Sequence, residues 1–125
     1  MRNEKGQALI TLLVFTIMAI TITSAAVVVI IINSTTATKL QESTVAYEVA
    51  ESGANNAVLR LLRDPGYTGE ALTVGNGTAT ITVVPTGGLY VIMSQGKENN
   101  FIRTVQVNAS YVNNVLVATS AGEVF

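Results

Sequence analysis

Residues 6–38 read GQALITLLVFTIMAITITSAAVVVIIINSTTAT, and none of these 33 positions holds Asp, Glu, Lys or Arg. Within them Ala8 to Ile32 is apolar apart from Thr11, Thr16, Thr21, Thr23 and Ser24, and contains neither proline nor glycine. As a helix rising about 1.5 Å per residue, this segment reaches roughly 37 Å, more than the hydrocarbon core of a bilayer at about 30 Å. Arg2 and Lys5 precede it and no basic residue follows until Lys39. Because cytoplasmic flanks retain Lys and Arg, the short N-terminus is expected to stay inside and the remainder to be exported.

Composition narrows the rest. The chain has 125 residues, 12% charged and 49% hydrophobic, with no cysteine and no histidine. Without cysteine there is no disulfide, no zinc-thiolate site, no thiol nucleophile and no lipid-modified cysteine. Without histidine the commonest general base and the commonest transition-metal ligand are missing. No catalytic, cofactor-binding or metal-binding residue is therefore assigned, no cofactor is expected, and an enzyme is not the reading. The net charge is −1, and from Lys39 onward five basic and seven acidic residues form no basic cluster. That pattern gives no footprint for direct nucleic-acid binding.

Beyond the apolar run, Asn33 to Thr38 is polar and weak in helix propensity, so it reads as a soft join or a local break. Leu40, Tyr47, Ala50, Ala54, Ala57, Val58 and Leu61 then recur near helical spacing, with Glu42, Glu48, Glu51, Asn55 and Arg60 on other faces. This predicts an amphipathic helix whose apolar face packs on whatever follows. Asp64-Pro65-Gly66 ends it at Arg63. One helix from about Ala8 to Arg63 would extend roughly 84 Å.

From Tyr67 the period changes to two. Strands are predicted at Thr78 to Val84, Leu89 to Ser94, Phe101 to Val112 and Val115 to Thr119, with a shorter one at Ala71 to Val74. Pro85 to Gly88, Gly96 to Asn100 and Asn113-Asn114 supply the turns. In the third of the longer strands Phe101, Val105, Val107, Ala109 and Tyr111 share one face, and Thr104, Gln106, Asn108 and Ser110 the other. The expected fold class is α+β: a long N-terminal helix, half membrane-spanning and half amphipathic, packed on an antiparallel sheet of about four strands, a lollipop. The glycines at 66, 69, 75, 77, 87, 88 and 96 read as turn chemistry without a phosphate-loop pattern. Asp64, Glu70, Glu98 and Glu123 read as isolated, solvated loop or terminal charges. Asn33, Asn76 and Asn108 begin triplets of the N-glycosylation type.

Three readings of the N-terminus follow. A secretory signal cut near Thr23-Ser24-Ala25-Ala26 would leave an exposed apolar start at Val27. A plain single-pass anchor, not cleaved, would carry an extracellular β-sheet binding domain. The third rests on the basic leader ending in Gly6, followed directly by Gln-Ala-Leu-Ile-Thr and an uninterrupted apolar helix. This arrangement resembles the class III signal of type IV pilins and pseudopilins. The stretch Ala46 to Ala57, with Ala50-Glu51-Ser52-Gly53, is similar to one common in minor pilins of the PilX-like type.

The resemblance implies a leader at 1–6, a membrane and filament-core helix at 7–33, an amphipathic half at 34–64 and a sheet domain at 67–125. It implies cleavage after Gly6 by a prepilin peptidase, N-methylation of Gln7, and Lys5 as the basic flank. Glycine suits the position before the cut because it presents no Cβ to a protease. The implied partners are the membrane, the peptidase, the pilus assembly platform and other pilin subunits in a homo- or hetero-filament. The implied location is the cytoplasmic membrane, N-terminus inside, and then the extracellular filament. Two positions depart from the family: Gln7 stands where Phe is common, and Thr11 where Glu is common. Thr11 offers only a neutral hydrogen bond, which points to a minor or initiating subunit.

Overall fold

A computed structural model describes residues 4–125. Arg2 and the first half of the proposed leader lie outside the described residues. The order of elements is α1 (Glu4–Arg63), β1 (Ala71–Val74), β2 (Gly77–Thr86), β3 (Leu89–Glu98), β4 (Phe101–Val112) and β5 (Val115–Val124). The chain divides into two compact units, one ending at Thr38 and the other running from Lys39 to Phe125.

In the first unit every described residue is helical and exposed. Asn33 to Thr38, open between a join and a break, is continuous helix. Its hydroxyls explain how. Thr35, Thr36 and Thr38 donate to the carbonyls of Ile31, Ile32 and Ser34, four residues earlier. The same back-bonding occupies Thr11, Thr16, Thr23 and Ser24, while Thr21 reaches the carbonyl of Met18, three residues back.

The second unit packs the last turns of α1 on one five-stranded antiparallel sheet in the order β1-β2-β3-β4-β5. The α+β class is as expected, and the short Ala71–Val74 segment is a fifth strand paired with β2. Several strands outrun their sequence limits. β2 continues through Pro85 to Thr86, so that only Gly87 and Gly88, both at positive φ, make the turn. β3 continues to Glu98, leaving Asn99 and Asn100 as the turn, and β5 continues to Val124. Asn113 and Asn114 turn with φ of 51° and 66° as their identity suggests.

The core consists of Ala50, Ala54, Ala57 and Leu61 from α1 with Ile81, Val83, Ile92, Val105 and Val107 from the sheet. Ala46, Val49 and Gly53 are also buried, while Leu40, placed on this face by its spacing, is 65% exposed. Leu40 is in phase with half-buried Tyr47 at the edge of the stripe and precedes the turns that are covered. Small residues set the distance between helix and sheet. A Cβ on Gly96 would overlap the Ala46 carbonyl oxygen and the Ala50 nitrogen, and one on Gly53 would meet the Ala79 Cβ at 2.7 Å. Gly96 is therefore a close-approach glycine inside β3 and not the turn residue its neighbours suggested. Gly77, also read as turn chemistry, opens β2 with Val49 Cγ2 2.7 Å from where its Cβ would stand.

Two contacts finish the helix. Asp64 N donates to the Arg60 carbonyl at 2.8 Å, and the Tyr111 hydroxyl donates to the Leu61 carbonyl at 2.8 Å. Both satisfy acceptors that a helix end leaves unpaired.

Candidate functional site

Lys5, Gly6, Gln7 and Thr11 fall within the first two turns of α1, all exposed. Gly6 is helical here, so an extended pose in a protease cleft requires the first turn to unwind. That turn is the easiest to open. In a helix beginning at Glu4, the first four N–H groups, those of Gly6 and Gln7 included, have no acceptor within it. The Thr11 hydroxyl donates to the Gln7 carbonyl at 2.9 Å, so the two positions that depart from the pilin pattern touch each other. The only proton Thr11 can donate is thus engaged within its own chain.

Among the described residues nothing covers the side chains from Ala8 to Ile32. Leu9 is 71% exposed, Phe15 72% and Ile22 68%. This helix is long and apolar enough to cross a membrane. An unbroken apolar surface of that size, bare on all sides, is unstable in water and calls for lipid or other apolar helices around it.

The second unit holds three polar clusters. At the end of α1, Glu70 accepts from Asn56 Nδ2 at 3.0 Å and from the Tyr67 hydroxyl at 3.1 Å, and pairs with Arg60 Nε at 3.2 Å. Burial first, then the Glu70 hydrogen bond and charge, push the Tyr67 phenol up to about 12, against a smaller lowering by Arg60. Glu70 O and Thr68 O accept from Ile81 N and Val83 N, so residues 68–70 are strapped along β2. At the other end, Asn99 Nδ2 donates to Glu42 at 2.9 Å, and Arg103 donates to Ser43 at 3.0 Å while pairing with Glu123. Glu70, Glu98 and Glu123 are thus half-buried and, for Glu70 and Glu123, partnered. Only Asp64 of the four acids is the exposed loop charge expected, and it accepts from Gly66 N. Fourteen residues separate Asn56 from Glu70, and twenty separate Arg103 from Glu123, so no local pattern announces either contact.

The third cluster lies on the sheet face turned away from α1. Gln106 donates to Asn108, and Asn108 donates to Ser120 at 3.0 Å. A register shift between Asn108 and Ala109 leaves Thr119 as an extra residue on β5, and its hydroxyl donates to the Asn108 carbonyl. With Thr86, Leu89 and Val91 these residues line an open depression of about 450 Å³. Asn108, placed on the outer face by its alternation, is there but only half exposed. Among the described residues no group of three Asp or Glu converges as a metal site would require.

Helix and sheet define an α+β chain with one candidate membrane span among the described residues. Compared with family models, curated proteins and solved structures, the chain matches none.

Proposed function

We propose that this chain is a type IV pilin-like structural subunit. It is inserted in the cytoplasmic membrane with its N-terminus inside, trimmed after Gly6 by a prepilin peptidase, methylated on Gln7, and assembled with other subunits into an extracellular filament or pseudopilus. One observation supports this reading: the apolar helix from Ala8 to Ile32, exposed along its whole length, starts a single residue past the proposed cut. After the cut, no charged side chain remains before Lys39. A plain anchor gains nothing from shedding its basic flank, whereas a segment that leaves lipid to pack among like helices does. Lipid tails are as apolar as leucine, so the exchange is driven by close packing and by the assembly platform.

The depression at Asn108 favours a second reading, an uncleaved membrane-anchored surface protein whose sheet binds an extracellular partner. The N-terminus separates the two. Mass spectrometry of the chain from a membrane fraction of a cell with a prepilin peptidase should give a methylated Gln7 start. An intact Met1, or a start near Val27, overturns the pilin reading. Gly6→Val is expected to abolish trimming.

A further inference from the structure

Three triplets of the form Asn-X-Ser/Thr occur in the chain, beginning at Asn33, Asn76 and Asn108, and the fold treats them differently. Such a triplet takes a glycan where the Asn amide is free and the hydroxyl two residues on can be gripped with it, on an exposed segment. Asn33-Ser34-Thr35 lies inside α1, where side chains two positions apart point to different sides. The Thr35 hydroxyl is also engaged, donating to the Ile31 carbonyl. Asn108-Ala109-Ser110 lies in β4, between β3 and β5. There the Asn108 amide is occupied at both atoms, donating to Ser120 at 3.0 Å and accepting from Gln106 at 3.1 Å.

Asn76-Gly77-Thr78 differs on every count. Gly75 and Asn76 form the two-residue turn between Val74 and Gly77. Gly75 takes the positive φ, 59°, so Asn76 keeps an ordinary backbone. Asn76 and Thr78 are both exposed, and among the described residues neither side chain has a hydrogen-bond partner. Four residue pairs join the edge strand β1 to β2, the shortest ladder of the sheet, so this tip opens more readily than β4.

We infer that Asn76 is an N-glycosylation site whose donor is a polyprenyl diphosphate-linked oligosaccharide, transferred by a membrane oligosaccharyltransferase. Asn76 Nδ2 forms a bond to the anomeric carbon of the first sugar as the bond from that carbon to the diphosphate oxygen breaks. The electron pair of the broken bond leaves with the polyprenyl diphosphate, and the amide gives one proton to a base of the transferase. Asn76 meets this donor only if the sheet unit is exported, as in both the filament and the plain-anchor readings above. Trimming after Gly6 is not required.

The folded full-length chain, purified in detergent, is incubated with membranes that supply a transferase requiring only Asn-X-Ser/Thr together with its lipid-linked glycan. Peptide mass spectrometry then reads each triplet, and Asn76 is expected to be occupied at least about tenfold more than Asn33 or Asn108. Thr78→Ser should retain the glycan and Thr78→Val should abolish it, both changes lying at an exposed position of β2. Equal occupancy of the three triplets, no glycan, or a glycan that survives Thr78→Val overturns the site. Chain recovered from cells that hold both this transferase and a prepilin peptidase separates the two proposals. A glycan at Asn76 on an untrimmed chain overturns the filament reading and keeps the site, whereas a chain that starts at Gln7 and is bare at Asn76 does the reverse. A chain both untrimmed and bare overturns both.

Discussion

The two halves of α1 are one continuous helix with opposite surroundings. From Glu4 to Thr38 every residue is exposed, and its large side chains are Leu, Ile, Val, Phe and Met. From Ala46 to Leu61 five of the seven buried residues are Ala or Gly, the others being Val49 and Leu61, and the closest approaches to the sheet are at Gly77, Ala79, Ser94 and Gly96. Among the described residues nothing lies against the bulky half, and the covered half is mostly small. A helix needs large apolar side chains where the surrounding medium is fluid and adapts to them. Where the medium is a rigid sheet at close range, volume becomes an obstacle.

The contrast is broken most severely at Gly96. Gly96→Ala drives a methyl into the backbone of α1, and unfolding of the full chain in detergent, followed by tyrosine near-UV circular dichroism, should show a loss of at least about 3 kcal/mol. A matched pair comes next. Ala50→Leu, fully buried against the sheet, is expected to cost about 2–3 kcal/mol, while Ala26→Leu, exposed in the first unit, should stay within about 0.5 kcal/mol in the same assay. Equal effects in the two halves would refute the comparison.

Ser94 tests it in the other direction. Its hydroxyl is fully buried beside Gly53 and has no hydrogen-bond partner among the described residues. Ser94→Ala should therefore leave stability unchanged or raise it by about 1 kcal/mol. The smallest effect concerns the strap at residues 64–70. Tyr67 keeps its proton to about pH 12 in the folded chain against 10.0 unfolded. Its contribution is complete below pH 10 and disappears between pH 10 and 12, because the unfolded state then binds fewer protons. Alkaline titration of unfolding should show a decline over that window that Tyr67→Phe removes.

Much of this fold was legible in the chain. Asp64-Pro65-Gly66 stops the helix at Arg63 as a proline-led turn must, and Asn113-Asn114 turns as two residues tolerant of positive φ should. Periodicity also placed Ala50, Ala54, Ala57 and Leu61 on the core face. Gly96 was not legible, because a glycine excluded by an approaching helix and a glycine needed for a turn look identical in one sequence. Leu40 misled for a related reason, since phase says which side a residue takes but not whether anything is there. In the candidate site, Lys5, Gly6, Gln7 and Thr11 could be picked out because the resemblance that singles them out rests on one short local stretch. The Glu70 and Asn108 clusters could not, being assembled from segments that only the fold brings together.

The back-bonded hydroxyls of α1 have one more consequence. From Thr11 to Thr38, eight side-chain hydroxyls donate to carbonyls of their own helix, so the hydrogens that a neighbour might have claimed are already committed. A helix so arranged presents nearly the same polar inventory in every setting. Moving it between environments requires none of these eight bonds to be surrendered. Such a helix is portable, and what holds it in any one place is the shape of its neighbours.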